Sequence, residues 1–63
     1  MLIEFKVIRF QDKVVGITSN SYKLKDYPAN LPLHTKERLE VSFYNQPPDV
    51  AESFHRSLVR QMD

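Results

Sequence analysis

The sequence predicts a small α+β domain, in which an antiparallel sheet of three strands is covered on one face by a C-terminal helix. Three observations predict it: apolar and polar residues alternate over 2–10, a second apolar run at 14–19 follows a short polar break, and apolar residues recur at helical spacing in 48–62. The expected order is β-β-loop-β-α, with a fourth short strand as an alternative. The 63 residues make one domain.

The first two predicted strands, 2–10 and 14–19, should form a hairpin. A two-residue turn at Asp12-Lys13 would pair Val7 with Thr18. A three-residue loop over 11–13 would instead pair Val7 with Ile17 and Phe10 with Val14. The loop keeps Val15 and Ile17 on the face of Ile3, Phe5 and Val7. We therefore expect the three-residue loop, because a slip of one residue would turn apolar side chains to the wrong face.

The third predicted strand is 38–44, and the predicted helix follows at 48–62. Leu39, Val41 and Phe43 alternate with polar residues, so we expect them to face the helix. Proline suits the first turn of a helix, which favours a start at Pro48. The expected apolar stripe of the helix consists of Val50, Ala51, Phe54, Leu58 and Met62.

A second apolar surface is expected on the sheet face away from the helix. It consists of Leu2, Ile8, Phe10 and Val14. Either the ordered loop expected at 22–36 covers this surface, or it binds a partner, since contiguous exposed apolar patches mark interaction sites. The sequence leaves these two alternatives open.

A set of basic and aromatic residues suggests a different function. It comprises Lys6, Tyr22, Lys23, Lys25, Arg56 and Arg60. Positive charge and aromatic rings are what grooves for single-stranded nucleic acid use. The same residues are also what an edge strand protected by lysines and a helix with bases near its C-terminal end would contain.

Composition argues against several functional classes. The net charge is +1, whereas dedicated nucleic-acid domains are usually strongly basic. There is no cysteine, and the two histidines, His34 and His55, are far apart, so neither a metal site nor a bound cofactor is expected. A chain this short has little room for a ligand pocket of several hundred Å³, and enzymatic activity is not expected.

The sequence favours a small non-enzymatic interaction module. It would bind itself, as a homodimer, or another protein, through the apolar sheet face or an unpaired strand edge. A regulatory or accessory protein of a bacterium or phage would fit this size. With no apolar run near 20 residues and no signal peptide, we expect a cytoplasmic location without membrane contact. Nucleic-acid binding is the alternative, and no small-molecule substrate is expected.

Overall fold

The computed structural model describes residues 1–29 and 39–62, and the predicted α+β fold is confirmed. Strands β1 (Ile3–Phe10), β2 (Lys13–Ser19) and β3 (Leu39–Gln46) precede one helix, α1 (Pro48–Met62). The strands form one antiparallel sheet in the order β2-β1-β3. In place of a fourth strand, the described residues contain a single bridge between Ile17 and Tyr27.

The hairpin turn differs from the predicted loop. Phe10 pairs with Lys13 across a two-residue turn, in which Gln11 and Asp12 have φ values of 53° and 64°. Two successive positive φ values are typical of the type I′ turn, whose twist matches that of the flanking strands. The pairing of Val7 with Ile17 is nevertheless confirmed. The register shifts at a bulge between Ile8 and Arg9, which compensates for the shorter turn.

The bulge moves Val14 from the predicted outer surface into the core. Val14 pairs with Arg9, which lies on the helix side of β1, and its side chain is only 1% exposed. The prediction of Val14 as a partner-binding residue is therefore wrong. Strict alternation along β2 would have turned it outward, and the extra residue in the strand reverses that direction.

The core lies between α1 and the inner face of the sheet. Its buried members are Ile3, Phe5, Val7, Val14, Ile17, Ala51 and Leu58. The helix has the predicted bounds, but its buried stripe is rotated slightly. Val59 packs against the core, while Val50 is exposed. The face that packs against the core therefore extends around the helix from Phe54 to Val59 and is turned away from Val50.

The third strand is turned over relative to the prediction. Ser42 lies opposite Val7, and Tyr44 lies opposite Phe5, so these residues share the helix side. Leu39, Val41 and Phe43 consequently lie on the face away from α1, and their predicted place in the core is wrong. The physical reason is the position of α1, which packs mainly against β2 and covers only part of β3. The inner face of β3 is therefore only partly covered, and the polar side chains of Tyr44 and Ser42 can lie there.

The segment after β2 runs antiparallel to it, along the edge of β2 that does not pair with β1. The Ile17 amide donates to the Tyr27 carbonyl at 2.8 Å, and the Tyr27 amide donates back at 2.7 Å. Ala29 lies so close to Gly16 that a Cβ on Gly16 would approach the Ala29 Cβ to 2.9 Å. Glycine is needed here for this close approach. The rest of the predicted loop, 30–36, and the predicted strand residue Arg38 lie outside the described residues.

Candidate functional site

The main candidate site is the sheet face opposite α1, which we call the outer sheet face. Its apolar members are Leu2, Ile8, Phe10, Leu39, Val41 and Phe43. Leu2 precedes β1 in phase with Ile8 and Phe10. The antiparallel register then sets Ile8 beside Val41 and Phe10 beside Leu39. Three of these residues, Leu2, Ile8 and Phe10, were predicted, and the β3 residues join them because β3 is turned over.

The most exposed apolar residue of this face is on β3. Phe43 is 74% exposed and Val41 is 48% exposed, while Leu2 is 53% exposed. Ile8, Phe10 and Leu39 are half-buried. Covering an aromatic ring and a branched aliphatic side chain that are this exposed removes apolar area from water, and this stabilises a complex. The β3 side is therefore where a partner would bury the most new apolar area.

Charged and polar groups border the apolar residues. Lys6 lies beside Phe43 in the β1–β3 register and beside Thr18 in the β1–β2 register, and it is exposed. Glu4 lies one pair further along, opposite Asn45. A patch with an apolar centre and a charged border is the usual anatomy of a protein–protein interface.

The free edge of β3 is the second candidate feature. The β2 edge carries the bridge to Tyr27, whereas β3 pairs only with β1 within the described part of the chain. From Leu39 to Gln46 the strand contains no lysine, arginine or proline, and Glu40, opposite Arg9, is its one charged residue. Natural edge strands commonly carry such residues to prevent pairing with another chain. Within residues 1–29 and 39–62, the β3 edge is thus open to strand addition.

The inner face of β3 carries a polar contact. Arg9 Nη1 donates a hydrogen bond of 3.1 Å to Tyr44 Oη, and the guanidinium carbon lies 5.9 Å from the centre of the Tyr44 ring. Hydrogen bonds from Arg9 and then from Ser42 lower the pKa of the Tyr44 hydroxyl, against a smaller opposing effect of burial. The Tyr44 ring also packs edge-on against Phe54, at 5.2 Å between centroids.

The predicted nucleic-acid residues are not brought together on one surface. Lys6 is on the outer sheet face, whereas Arg56 and Arg60 are exposed on α1, behind the other face of the sheet. Tyr22 and Lys23 lie in a turn after β2. Lys25 is nearer to the helix, with its Nζ 5.3 Å from the centre of the Tyr27 ring.

His55 has a structural environment that the sequence did not indicate. Its Nε2 lies 2.8 Å from the Lys25 carbonyl oxygen, to which the Nε2–H tautomer donates. The imidazole also lies 5.9 Å from the Tyr27 ring. These contacts attach the segment after β2 to α1. His34, the other histidine, lies outside the described residues.

An open cleft of about 460 Å³ separates the N-terminal end of α1 from the turn after β2, and Ile3, Leu24 and Ala51 contribute to its lining. This volume is larger than the chain length suggested. Within residues 1–29 and 39–62, no three histidine, aspartate or glutamate side chains come together as a metal site. The helix of this part of the chain is too short and too polar to cross a bilayer.

Comparisons of this chain with models of protein families, with curated proteins and with solved structures found no match.

Proposed function

We propose that the protein is a small interaction module that binds another protein chain through its outer sheet face. One observation carries this proposal. The most regular apolar strand of the sequence, β3, directs Val41 and Phe43 away from the helix, and both are exposed. Exposure of large apolar side chains to water is unfavourable, and contact with another protein would remove their apolar area from water.

Three features support a protein as the ligand. The apolar centre and charged border suit a protein surface better than a phosphate backbone, which needs several cations in one region. Glu4 lies on the same face and would repel phosphate. The two strands that carry most of this face, β1 and β3, are already paired from Ile3 to Phe10, so binding costs less conformational entropy than ordering an unpaired segment would.

The decisive experiment uses affinity capture from source-cell lysate with two matched variants. Phe43→Ser removes an exposed aromatic ring from the outer sheet face, and Tyr22→Ser removes one from the turn after β2. Both positions are exposed, so both variants should keep the fold, which circular dichroism checks. We expect Phe43→Ser to reduce captured protein at least tenfold and Tyr22→Ser to leave it unchanged.

Two results would contradict the proposal. One is equal capture by Phe43→Ser and the parent protein. The other is loss of the captured material on nuclease treatment, together with a steep fall of binding with salt, which would favour nucleic acid. In that case Lys25 and Arg56 become the residues to replace. Phe10→Asp is a weaker test than Phe43→Ser, because Phe10 is half-buried and a charge there also destabilises the fold.

A further inference from the structure

We propose that β3 pairs antiparallel with β3 of a second copy of the chain, centred on Ser42, to join two sheets into one of six strands. This inference rests on the proposed function, since it names a second copy as a partner for the β3 side of the outer sheet face. The two-fold axis runs perpendicular to the sheet, so both helices lie on the same side of it.

The direction of the peptide groups in β1 is the first step. The Glu4 amide donates to Asn20 Oδ1, and the Glu4 carbonyl accepts from the Asn20 amide at 3.2 Å, so the peptide groups of Glu4 point toward β2. Those of Ile17 point away from β1, toward Tyr27. Successive residues of an antiparallel strand alternate between its two neighbours. Even-numbered residues of β1 therefore bond to β2, and odd-numbered residues bond to β3.

The register transfers this alternation to β3. Phe5 lies opposite Tyr44 and Val7 lies opposite Ser42, and the pairing continues without a shift along the strand. Tyr44 and Ser42 thus direct their peptide groups toward β1. The residues between them point the other way. Four residues direct their N–H and C=O groups to the open edge: Leu39, Val41, Phe43 and Asn45.

The centre of the proposed pairing follows from these four residues. A two-fold axis at Ser42 sets Val41 against Phe43 of the second copy, and Leu39 against Asn45, so that all four residues of each strand find a partner. An axis at Phe43 would set Leu39 against Pro47, which has no N–H to donate. An axis at Val41 would leave Asn45 beyond the end of the opposite β3. Ser42 is therefore the position that uses the edge most completely.

The side chains are complementary in the same register. On the outer sheet face, Phe43 of one copy contacts Val41 of the other, and aromatic and β-branched residues form favourable cross-strand pairs. On the inner face, Glu40 of each copy comes beside Tyr44 of the other, whose hydroxyl is bound by the Arg9 guanidinium. Glu40 also lies opposite Arg9 of its own chain, so its charge already has a partner in the monomer. Because α1 packs mainly against β2, it leaves the β3 edge uncrowded.

Cysteine cross-linking tests this register directly, because the protein contains no cysteine of its own. Facing Ser42 residues would form a non-hydrogen-bonded pair with Cα atoms about 4.5 Å apart, a spacing that a disulfide can bridge. We expect Ser42→Cys to form a disulfide-linked dimer in a glutathione redox buffer. In the matched control Glu40→Cys, the two cysteines would be about 13 Å apart along the strands and should not link.

Glu40 is more exposed than Ser42, so random collision would favour the control. Cross-linking of Glu40→Cys equal to or faster than that of Ser42→Cys would overturn the proposal. So would a parent protein that remains a 7.4 kDa monomer at millimolar concentration in sedimentation equilibrium.

Amide hydrogen exchange provides a test without any substitution. We expect the amides of Val41 and Phe43 to become more protected as protein concentration rises, while those of Ser42 and Tyr44 are protected at every concentration. Free exchange of Val41 and Phe43 at all concentrations would overturn the proposal. Protection of these two amides in a protein that sediments as a monomer would also overturn it, because the edge would then be filled within one chain.

The two proposals fail in different ways. If the parent protein is monomeric but Phe43→Ser still loses a captured protein, strand pairing is wrong and the interaction module remains. If Ser42→Cys cross-links but Phe43→Ser captures the same proteins as the parent, the dimer stands and the outer sheet face is not where a foreign partner binds.

Discussion

Tyr44 shows how the contacts of one side chain favour one orientation of a strand. With Tyr44 on the helix side, its ring packs against Phe54 and its hydroxyl accepts from Arg9 at 3.1 Å. With Tyr44 on the outer sheet face, both contacts would be lost. A phenol suits the border of a core because its ring is apolar and its hydroxyl keeps a polar partner.

Replacing Arg9 should raise the pKa of Tyr44. Arg9→Met removes the hydrogen-bond donor and the charge that hold this pKa below the ordinary tyrosine value. An alkaline titration followed by tyrosinate absorbance should show one step move to higher pH. The variant Tyr44→Phe identifies that step among the three tyrosines.

The same contact predicts a pH dependence of stability. Because the folded pKa of Tyr44 is below the unfolded one, ionisation of Tyr44 favours the folded state. This contribution is complete above the unfolded pKa and is lost as pH falls through the folded pKa. The stability difference between the parent and Arg9→Met should therefore grow as pH rises through that range. The control Lys6→Met removes a cation from the opposite sheet face and should leave the Tyr44 step in place.

At the scale of elements, α1 supplies most of the cover for the sheet. Its stripe brings Ala51 and Leu58 to almost complete burial, and Phe54 contacts Phe5 edge-on at 4.9 Å between centroids. A small core of this kind contributes only about 3–5 kcal/mol of net stability. The loss of one large side chain from the stripe is therefore a large fraction of the total.

Truncation of Leu58 should unfold most of the protein. Leu58→Ala removes a side chain that is 2% exposed, and such changes cost about 2–5 kcal/mol. Val50→Ala is the matched control on the same helix, because Val50 is exposed and its truncation should cost about 0.5 kcal/mol or less. Urea denaturation followed by circular dichroism measures both. Equal midpoints for the two variants would contradict the assignment of Leu58 to the core.

At the scale of the whole molecule, the outer sheet face and the small size of the chain both favour association with another chain. Domains of about this length bury only about 60% of their unfolded surface, and many gain stability by association. Here one layer of helix covers one face of the sheet, and the described residues leave Val41 and Phe43 exposed on the other. A second copy at the β3 edge would cover part of that area.

If the second copy binds at β3, the midpoint of thermal unfolding should rise with protein concentration, because association stabilises the folded state by mass action. Differential scanning calorimetry over a hundredfold range of concentration measures this. Val41→Pro is the control. Its missing N–H would face the open edge, where proline is tolerated, so the variant should fold but show no dependence on concentration. A constant midpoint for the parent protein would contradict the expectation.

Much of the fold is determined locally, and the sequence predicted that part. Helix α1 has the predicted limits because Pro48 favours a helix start and the apolar spacing continues to Met62. The strands β1 and β2 are visible in the alternation of their residues, since alternation is a property of a strand by itself. Leu2, Ile8 and Phe10 of the outer sheet face were predicted for the same reason.

Only the tertiary structure decided which way each strand faces. Both residues of the turn at Gln11-Asp12 have positive φ values. Neither is a glycine, the residue from which a sequence usually predicts such a turn. The resulting bulge moves Val14 inward. For β3, alternation allows either face to meet the helix, and the choice depends on where α1 lies and on the Arg9–Tyr44 contact. Such choices depend on contacts between residues distant in sequence, which a local pattern does not contain.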